Sequence, residues 1–142
     1  KQAYMDALHI SESNIINQTF HNPLGKMNGQ DICIISLKEV SGNGLCCYRQ
    51  VNDSDVLVLL EEQDYNEILD ETLQRIRRDF NHISGVFSIN CVFRYLLFSQ
   101  EHHMEDYLKT MSTLGEHAGL IGFGEHYNQQ FVNQTMTCVV FE

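Results

Sequence analysis

The stretch GVFSINCVFRYLLF, residues 85–98, decides the fold. Successive side chains of a β-strand point to opposite faces, and here one of the two faces is wholly apolar. That face carries Phe87, Ile89, Cys91, Phe93, Tyr95 and Leu97. The other face is mixed and carries Val86, Ser88, Asn90, Val92, Arg94 and Leu96. The alternation predicts a long central strand with one buried face, and its polar-studded face is a candidate wall of a binding site.

Two amphipathic helices are predicted, one before and one after this strand. The first begins after Asp64, a candidate N-cap with Glu67 three residues further on. Its apolar residues recur at helical spacing and are Tyr65, Ile68, Leu69, Ile76 and Phe80. The second ends near Gly115 and has the same spacing, with apolar residues Met104, Tyr107, Leu108, Met111 and Leu114. We expect the second helix to pack on the sheet through Met104, Leu108 and Met111.

Short strands account for most of the remaining chain. Residues 42–44, Gly-Asn-Gly, predict a hairpin turn because Asn and Gly tolerate a positive φ. Further strands are expected at 31–40, 45–51, 56–60, 118–125 and 131–141, with a polar loop at 126–130 joining the last two. The order is β-β-β-α-β-α-β-β. It predicts an α+β fold with a mainly antiparallel sheet of about five to six strands and about two to three packed helices.

Composition limits the class of protein. The 142 residues suit one ordinary domain, so we expect a single domain over 1–142. A net charge of −10 argues against nucleic acids and anionic membranes as main partners, because both require a basic patch. The apolar runs are too short to cross a bilayer, so we expect a soluble protein without membrane insertion. Since the chain starts at Lys1 rather than Met, we expect it to begin inside a longer protein.

The cysteines indicate a reducing compartment. There are five, an odd number, at positions 33, 46, 47, 91 and 138. Neither Cys-x-x-Cys nor a four-ligand zinc spacing occurs among them. Their apolar neighbours are typical of small core residues. We therefore expect reduced thiols in a cytoplasmic protein, with no metal site.

Arg94 and Glu125 are the strongest candidates for a binding site. Each is a charged residue within a segment that otherwise predicts core, where an unpaired charge is costly. Either the two form a structural ion pair, or they face a cavity and bind a ligand. Asn133 adds an amide on the last strand. Ser88 and Asn90 lie on the polar-studded face of residues 85–98. These five residues form the predicted ligand site.

Other chemistry is weakly supported. Gly122 and Gly124 are two residues apart on one predicted strand, so they leave the same face without side chains. Either a helix packs closely against that face or a ligand lies there. Cys91 with His126 and Glu125 would suit a thiol nucleophile, but Cys91 falls on the apolar face, where a neutral thiol is inert. We therefore predict no catalytic residue. The helix start at 101–106 offers too few ligands for a metal site.

Four segments resemble one family. Residues 85–94, GVFSINCVFR, resemble the G-x-x-x-x-x-C-x-x-R strand of the C-terminal half of the FIST sensory domain. Residues 122–125, GFGE, are similar to its G-x-G-E segment, and 132–137, VNQTMT, to its closing h-N-Q-T-h-T strand. Residues 21–25, HNPLG, resemble its P-L-G turn. The proline-containing turn that usually follows G-x-G-E is replaced here by residues 126–128.

The resemblance implies a non-enzymatic intracellular input domain for signal transduction. Its partners would be a small-molecule ligand, such as an amino acid or another small anion, a preceding N-terminal FIST half, and an output domain. In bacteria that output is a kinase, a chemotaxis transducer or a cyclic-dinucleotide enzyme. The 142 residues leave no room for the N-terminal half. No cofactor is predicted, but some relatives bind haem and sense nitric oxide, so a haem-binding gas sensor stays an alternative. A structural or homodimerising module is the other.

Overall fold

A computed structural model describes residues 1–29, 31–128 and 130–142. The chain divides into two compact units, Lys1–Glu62 and Gln63–Glu142. The candidate site residues all belong to the second unit. Each unit has its own sheets, and each is described separately below.

Among its described residues, the first unit contains two short helices, a 3-10 turn and five strands. They are α1 (Gln2–Leu8), the 3-10 turn (Glu12–Asn14), α2 (Ile15–Gln18), β1 (Leu24–Asn28), β2 (Asp31–Ile35), β3 (Leu37–Ser41), β4 (Gly44–Cys47) and β5 (Leu57–Leu59). One antiparallel sheet has the order β2-β1-β5, and β3 pairs with β4 in a hairpin. Gly42 has a φ of 55° in the predicted turn of that hairpin. The strand predicted over 31–40 is two strands separated at Ser36, because β2 and β3 belong to different sheets.

The second unit contains three helices and five strands among its described residues. They are α3 (Tyr65–Asp79), β6 (Gly85–Cys91), α4 (Val92–Gln100), α5 (Met104–Ser112), β7 (Glu116–Gly122), β8 (Glu125–Tyr127), β9 (Gln130–Val132) and β10 (Met136–Phe141). A three-stranded sheet has the order β10-β6-β7, and β8 pairs with β9. The final predicted hairpin is therefore divided: β8 and β9 turn back on each other, while β10 pairs with β6. Residue 129 of the predicted loop lies outside the described residues.

Helix α3 begins where the sequence predicts. The Asp64 carboxylate accepts hydrogen bonds from the backbone amides of Asn66 and Glu67 at 2.8 and 3.2 Å. These bonds satisfy two of the amide donors that the first turn of a helix leaves unpaired. On the helix, Leu69 and Leu73 are buried, whereas Ile68 is 44% exposed. The predicted cap is confirmed, and the buried face includes Leu73, which was not predicted, in place of Ile68.

The prediction of one long strand over 85–98 is wrong in its second half. The strand β6 ends at Cys91, and α4 begins at the next residue. A nearly continuous apolar run fits the two-residue period of a strand and the 3.6-residue period of a helix equally well. Within α4, Leu97 and Phe98 are buried. Arg94 therefore lies in the first turn of a helix and not in the middle of a strand.

The α+β class is confirmed, and the described strands are distributed over four small sheets. The pair β6–β7 is parallel, in contrast to the other strand pairs in the described residues, which are antiparallel. Parallel neighbours need a crossover connection, and the helices α4 and α5 supply it. Among the described helices, none combines the length and the apolar character needed to cross a membrane.

Helix α5 buries Met111 as predicted, but the rest of its buried stripe differs from the prediction. Tyr107 and Met111 are 2% and 1% exposed, and the following Leu114 is also buried. These positions recur at i, i+4 and i+7, which places them on one helical face. Leu108 lies about 100° further round the helix and is 46% exposed. The predicted core role of Leu108 is therefore wrong, and Tyr107 takes that place.

The five cysteines are free thiols in the structure. Cys91 is buried at the end of β6, and the other four are partly exposed. Burial raises the pKa of the Cys138 thiol. The expectation of small core residues therefore holds for Cys91, whereas the other four lie at the margin of the core. That the thiols are reduced in the protein stays a prediction.

Candidate ligand-binding site

A cavity of about 300 Å³ lies beside β6, β7 and α5 in the second unit. Four polar side chains line it: Ser88, Asn90, Tyr107 and His117. The rest of the lining is mainly apolar and consists of Tyr95, Met104, Leu108 and residues 118–121. An apolar wall with a few convergent polar groups is the usual form of a small-molecule site, and this volume is at the lower end of the range for such sites.

The four polar side chains form a hydrogen-bonded cluster, which we call the polar floor. Ser88 Oγ lies 2.9 Å from His117 Nε2 and 3.4 Å from the Tyr107 hydroxyl. Asn90 Nδ2 donates to the Tyr107 hydroxyl at 2.8 Å. Ser88 is 1% exposed and Tyr107 is 2% exposed. Buried polar groups are costly unless they are paired, so mutual hydrogen bonding stabilises this cluster in an otherwise apolar wall.

Arg94 extends the polar floor away from the cavity. Its Nε donates to Asn90 Oδ1 at 3.2 Å. Its guanidinium lies over the rings of Phe98 and Tyr107, at 4.7 and 5.7 Å from their centroids. Such stacking stabilises a partly buried cation. Arg94 therefore orients Asn90 and reaches the cavity through it, instead of forming part of the lining.

The protonation of His117 is coupled to this cluster. Burial lowers the pKa of His117, so the neutral ring is favoured. A neutral ring can accept at Nε2 from the Ser88 hydroxyl. In that state the hydroxyl of Tyr107 donates to Ser88. The hydrogen bonds then run in one direction, from Arg94 through Asn90, Tyr107 and Ser88 to His117. A protonated ring must instead donate at Nε2, which reverses the hydroxyl of Ser88. The polar floor thus has two hydrogen-bonding arrangements.

Glu125 lies in a second polar cluster. Its carboxylate is 2% exposed, and Oε2 accepts a hydrogen bond from Thr135 Oγ1 at 2.6 Å. Its other oxygen, Oε1, is buried without a hydrogen-bond partner among the described residues. Burial raises the pKa of Glu125, and the Thr135 hydroxyl and the positive charge of Arg94 offset part of the rise. Asn133 is adjacent, because its Oδ1 lies 2.9 Å from the position that a Cβ on Gly124 would occupy.

The five predicted site residues thus fall into two groups. Ser88 and Asn90 line the cavity, and Arg94 holds Asn90. Glu125 and Asn133 lie by the second cluster, and the charge of Arg94 acts on Glu125.

Comparison with protein families adds to this geometry. Residues 2–128 match the family model of the FIST C domain. The chain belongs to the FIST C domain family. This is a family of sensory and signalling domains rather than an enzyme family. No curated protein and no solved structure matches the chain significantly. The match includes the segments at 21–25, 85–94 and 122–125, whereas residues 132–137 follow its end.

Three residues of this FIST C domain escaped prediction from the sequence: Tyr107, His117 and Gly119. Tyr107 has the helical spacing of a core residue, and the spacing gives no sign that its hydroxyl bonds Ser88 and Asn90. His117 was missed because the strand was predicted to begin at residue 118, whereas β7 begins at Glu116. When the strand begins at Glu116, His117 and Gly119 are two residues apart on it and therefore lie on the same face as Ser88.

Gly119 is the glycine of this FIST C domain that makes room for the polar floor. It is the register partner of Ser88, and a Cβ at Gly119 would lie 2.6 Å from Ser88 Oγ and 2.8 Å from Ser88 O. The sequence drew attention to Gly122 and Gly124 instead. The prediction that these two share one strand is wrong, because β7 ends at Gly122 and Gly124 has a φ of 126°. A Cβ at Gly124 would collide with Phe131, so packing explains that position.

Metal chemistry has no support in the described part of this FIST C domain. No group of three or more His, Cys, Asp or Glu side chains there is placed to hold a metal ion. His117 has Ser88 and Tyr107 as its neighbours, and neither is a strong metal ligand.

Proposed function

We propose that this FIST C domain is a non-enzymatic sensory input domain whose small-molecule ligand occupies the cavity beside β6, β7 and α5. The observation that carries the proposal is the polar floor, four hydrogen-bonded side chains within a mainly apolar wall. Ser88 and Asn90 contact the ligand. Arg94 holds Asn90 in position, and its charge links the cavity to Glu125 and Asn133.

The ligand has an apolar body and one strongly polar group. Residues such as Met104, Leu108 and Leu120 contact the body, and the polar floor hydrogen-bonds the polar group. A small carboxylate or a related anion suits this floor, since the Arg94 cation polarises the amide of Asn90 towards donation. The volume of about 300 Å³ limits the ligand to a small molecule.

Signal output requires a change of state. A ligand shifts a conformational equilibrium only by the difference in its affinity for the two states. In this domain the two hydrogen-bonding arrangements of the polar floor are two such states, and a ligand that hydrogen-bonds to the floor has a different affinity for each. We further propose that residues 1–142 act as one cytoplasmic input module. Its output partner would be a kinase, a chemotaxis transducer or a cyclic-dinucleotide enzyme, with a FIST N-terminal half as the accompanying domain.

The test is a thermal-shift screen of amino acids, small carboxylic acids and haem, followed by calorimetric titration of each hit. A true ligand at about 100 times its Kd stabilises the protein by about 2.7 kcal/mol. Asn90→Ala should weaken binding by roughly 10-fold, the upper part of the range for one lost hydrogen bond. Ser99→Ala is the matched control, because the Ser99 hydroxyl donates to Tyr95 O within its own helix and Ser99 is not among the residues that line the cavity.

Two results would contradict the proposal. Hits whose affinity is equal in wild type, Asn90→Ala and Ser88→Ala would bind outside the polar floor. A Soret band that develops on haem titration, with no small-acid hit, would instead support the gas-sensor alternative.

A further inference from the structure

His117 differs in charge from the other residues that line the cavity. The described lining contains no Asp, Glu, Lys or Arg, and its other titratable groups are the phenols of Tyr95 and Tyr107. Histidine is the side chain that changes charge near neutral pH. His117 faces Ser88 of β6 at 2.9 Å and the ring of Tyr107 on α5, whose centroid is 6.2 Å away. The charge of this cavity wall is therefore set by the protonation of His117.

The charged groups on the surrounding elements do not provide a counter-charge for a protonated His117. Strand β6 has the sequence GVFSINC and carries no charged residue. On α4, Arg94 is itself a cation and reaches the polar floor through Asn90. Glu116 precedes His117 on β7 and points to the opposite face of the strand. The charged residues of α5 are exposed and paired with one another: Glu105, Asp106 and Lys109. An anionic ligand would bring the missing negative charge into the cavity.

The polar floor holds two hydroxyl hydrogens, one on Ser88 and one on Tyr107. Arg94 fixes the amide of Asn90, because its Nε donates to Oδ1, so that Nδ2 donates to the Tyr107 oxygen. When His117 is neutral, its Nε2 accepts one hydroxyl hydrogen, and the other lies between the oxygens of Ser88 and Tyr107. Both hydroxyl hydrogens then have an acceptor within the floor.

Protonation of His117 leaves one of these hydrogens without an acceptor. The ring then donates at Nε2 to Ser88 Oγ and accepts nothing there. Only one hydrogen fits between the oxygens of Ser88 and Tyr107, so the second needs an acceptor outside the floor. Both residues line the cavity, where a ligand oxygen can accept it. A buried donor without an acceptor is costly, and a carboxylate is a strong, charged acceptor. The protonated floor therefore favours a carboxylate.

We propose that His117 determines the specificity of the ligand site by taking up one proton from the solvent when a carboxylate binds. The protonated ring supplies the counter-charge, and it turns one hydroxyl hydrogen of the floor towards a ligand oxygen. A neutral ligand leaves the ring neutral. Burial lowers the pKa of His117, so the ring stays neutral until an anion is near. This inference rests on the proposed function and adds to it the proton that accompanies the ligand.

The test is calorimetric titration with 4-methylpentanoate and with its neutral counterpart, 4-methylpentanamide. Each titration is run at pH 6.5, the ordinary pKa of histidine, in two buffers of different ionisation enthalpy, and the difference in heat gives the number of protons taken up. The wild type should take up about 0.5–1 proton per carboxylate bound and none with the amide. The Kd for the carboxylate should rise about tenfold or more between pH 6 and pH 8, because a proton binds with it.

His117→Gln keeps a hydrogen-bonding side chain at this position but cannot be protonated. It should abolish the proton uptake and remove the pH dependence of the Kd for 4-methylpentanoate. A purely structural role of His117 would not change the number of protons bound with the ligand. His126→Gln is the matched control, because His126 is exposed on β8. It should keep the proton uptake of the wild type.

The outcomes separate this inference from the proposed site. If 4-methylpentanoate binds, loses affinity in Asn90→Ala and takes up no proton, the inference is wrong and the site stands. If its binding is unchanged in Asn90→Ala, the site itself is wrong. Equal proton uptake in His117→Gln and the wild type, or no binding at millimolar concentration, would also overturn the inference.

A second measurement uses the wild type alone and applies if His117→Gln does not fold by circular dichroism. The ring of His117 is titrated by NMR with and without 4-methylpentanoate. Its pKa should rise when the carboxylate is present, because the bound anion stabilises the protonated ring. An unchanged pKa in the presence of bound carboxylate would overturn the inference.

Discussion

Ser88 Oγ lies 2.9 Å from His117 Nε2, although the strand register pairs Ser88 with Gly119 and His117 with Val86. The hydroxyl thus reaches diagonally across two parallel strands. It does so over Gly119, which has no side chain to obstruct it. The contact that joins β6 to β7 in the polar floor therefore depends on a third residue.

Gly119→Ala should destabilise the protein by about 1–3 kcal/mol, the usual cost of overpacking. The added Cβ would lie 2.8 Å from the backbone oxygen of Ser88, which cannot rotate away. Urea denaturation at neutral pH measures the change. Gly44→Ala is the control, because its nearest neighbour is Ser41 O at an ordinary 3.4 Å. An equal loss in both variants would mean that the close approach at Gly119 has no particular effect.

Acidification should destabilise the fold through His117. Its pKa is lowered by burial, so below the ordinary value of 6.5 the unfolded state binds a proton before the folded state does. The free energy of unfolding then falls as the pH falls through that range. His117→Asn should remove this part of the pH dependence. If the free energy of unfolding changes equally with pH in the wild type and in His117→Asn between pH 7 and 5, the lowered pKa of His117 is contradicted. His126 is exposed, so His126→Asn is the matched control and should keep the pH dependence of the wild type.

Glu125 should have the opposite effect at higher pH. Its raised pKa means that, above the ordinary value of 4.5, the unfolded state loses its proton before the folded state. The folded state then holds the extra proton, so stability declines as the pH rises from that value towards the folded pKa. Glu125→Gln should flatten this decline and keep the acceptor for Thr135. Unfolding free energies of wild type and variant, compared from pH 4 to 8, measure the difference. A wild type whose stability rises over this range relative to Glu125→Gln would show that the carboxylate is instead stabilised by charge.

The two faces of α5 should respond differently to truncation. Met111→Ala should cost about 2–5 kcal/mol, as a large-to-small change in the core, because Met111 is 1% exposed. Leu108 is 46% exposed, so Leu108→Ala should cost no more than about 0.5 kcal/mol, as at most surface sites. Thermal or urea unfolding distinguishes them. A loss at Leu108 equal to that at Met111 would restore the helix face predicted from the sequence.

Local interactions were predictable from the sequence alone. The N-cap at Asp64 and the hairpin turn at Gly42 depend on neighbouring residues, since each uses a side chain or a backbone conformation within a few positions. The α+β class and the strand character of residues 85–91 followed from periodicity. Ser88 and Asn90 were also identified as cavity residues, because alternation placed them on one face of that strand.

Only the tertiary structure decided where the strand ends and what completes the site. Residues 92–98 fit a strand or a helix by pattern, and the need to cross over to a parallel β7 selects the helix. Tyr107 and His117 are 17 and 29 residues from Asn90 and Ser88, their hydrogen-bond partners. No local pattern records such a pairing. It arises because α5 and β7 pack against β6, where buried polar groups must find partners to offset the loss of water.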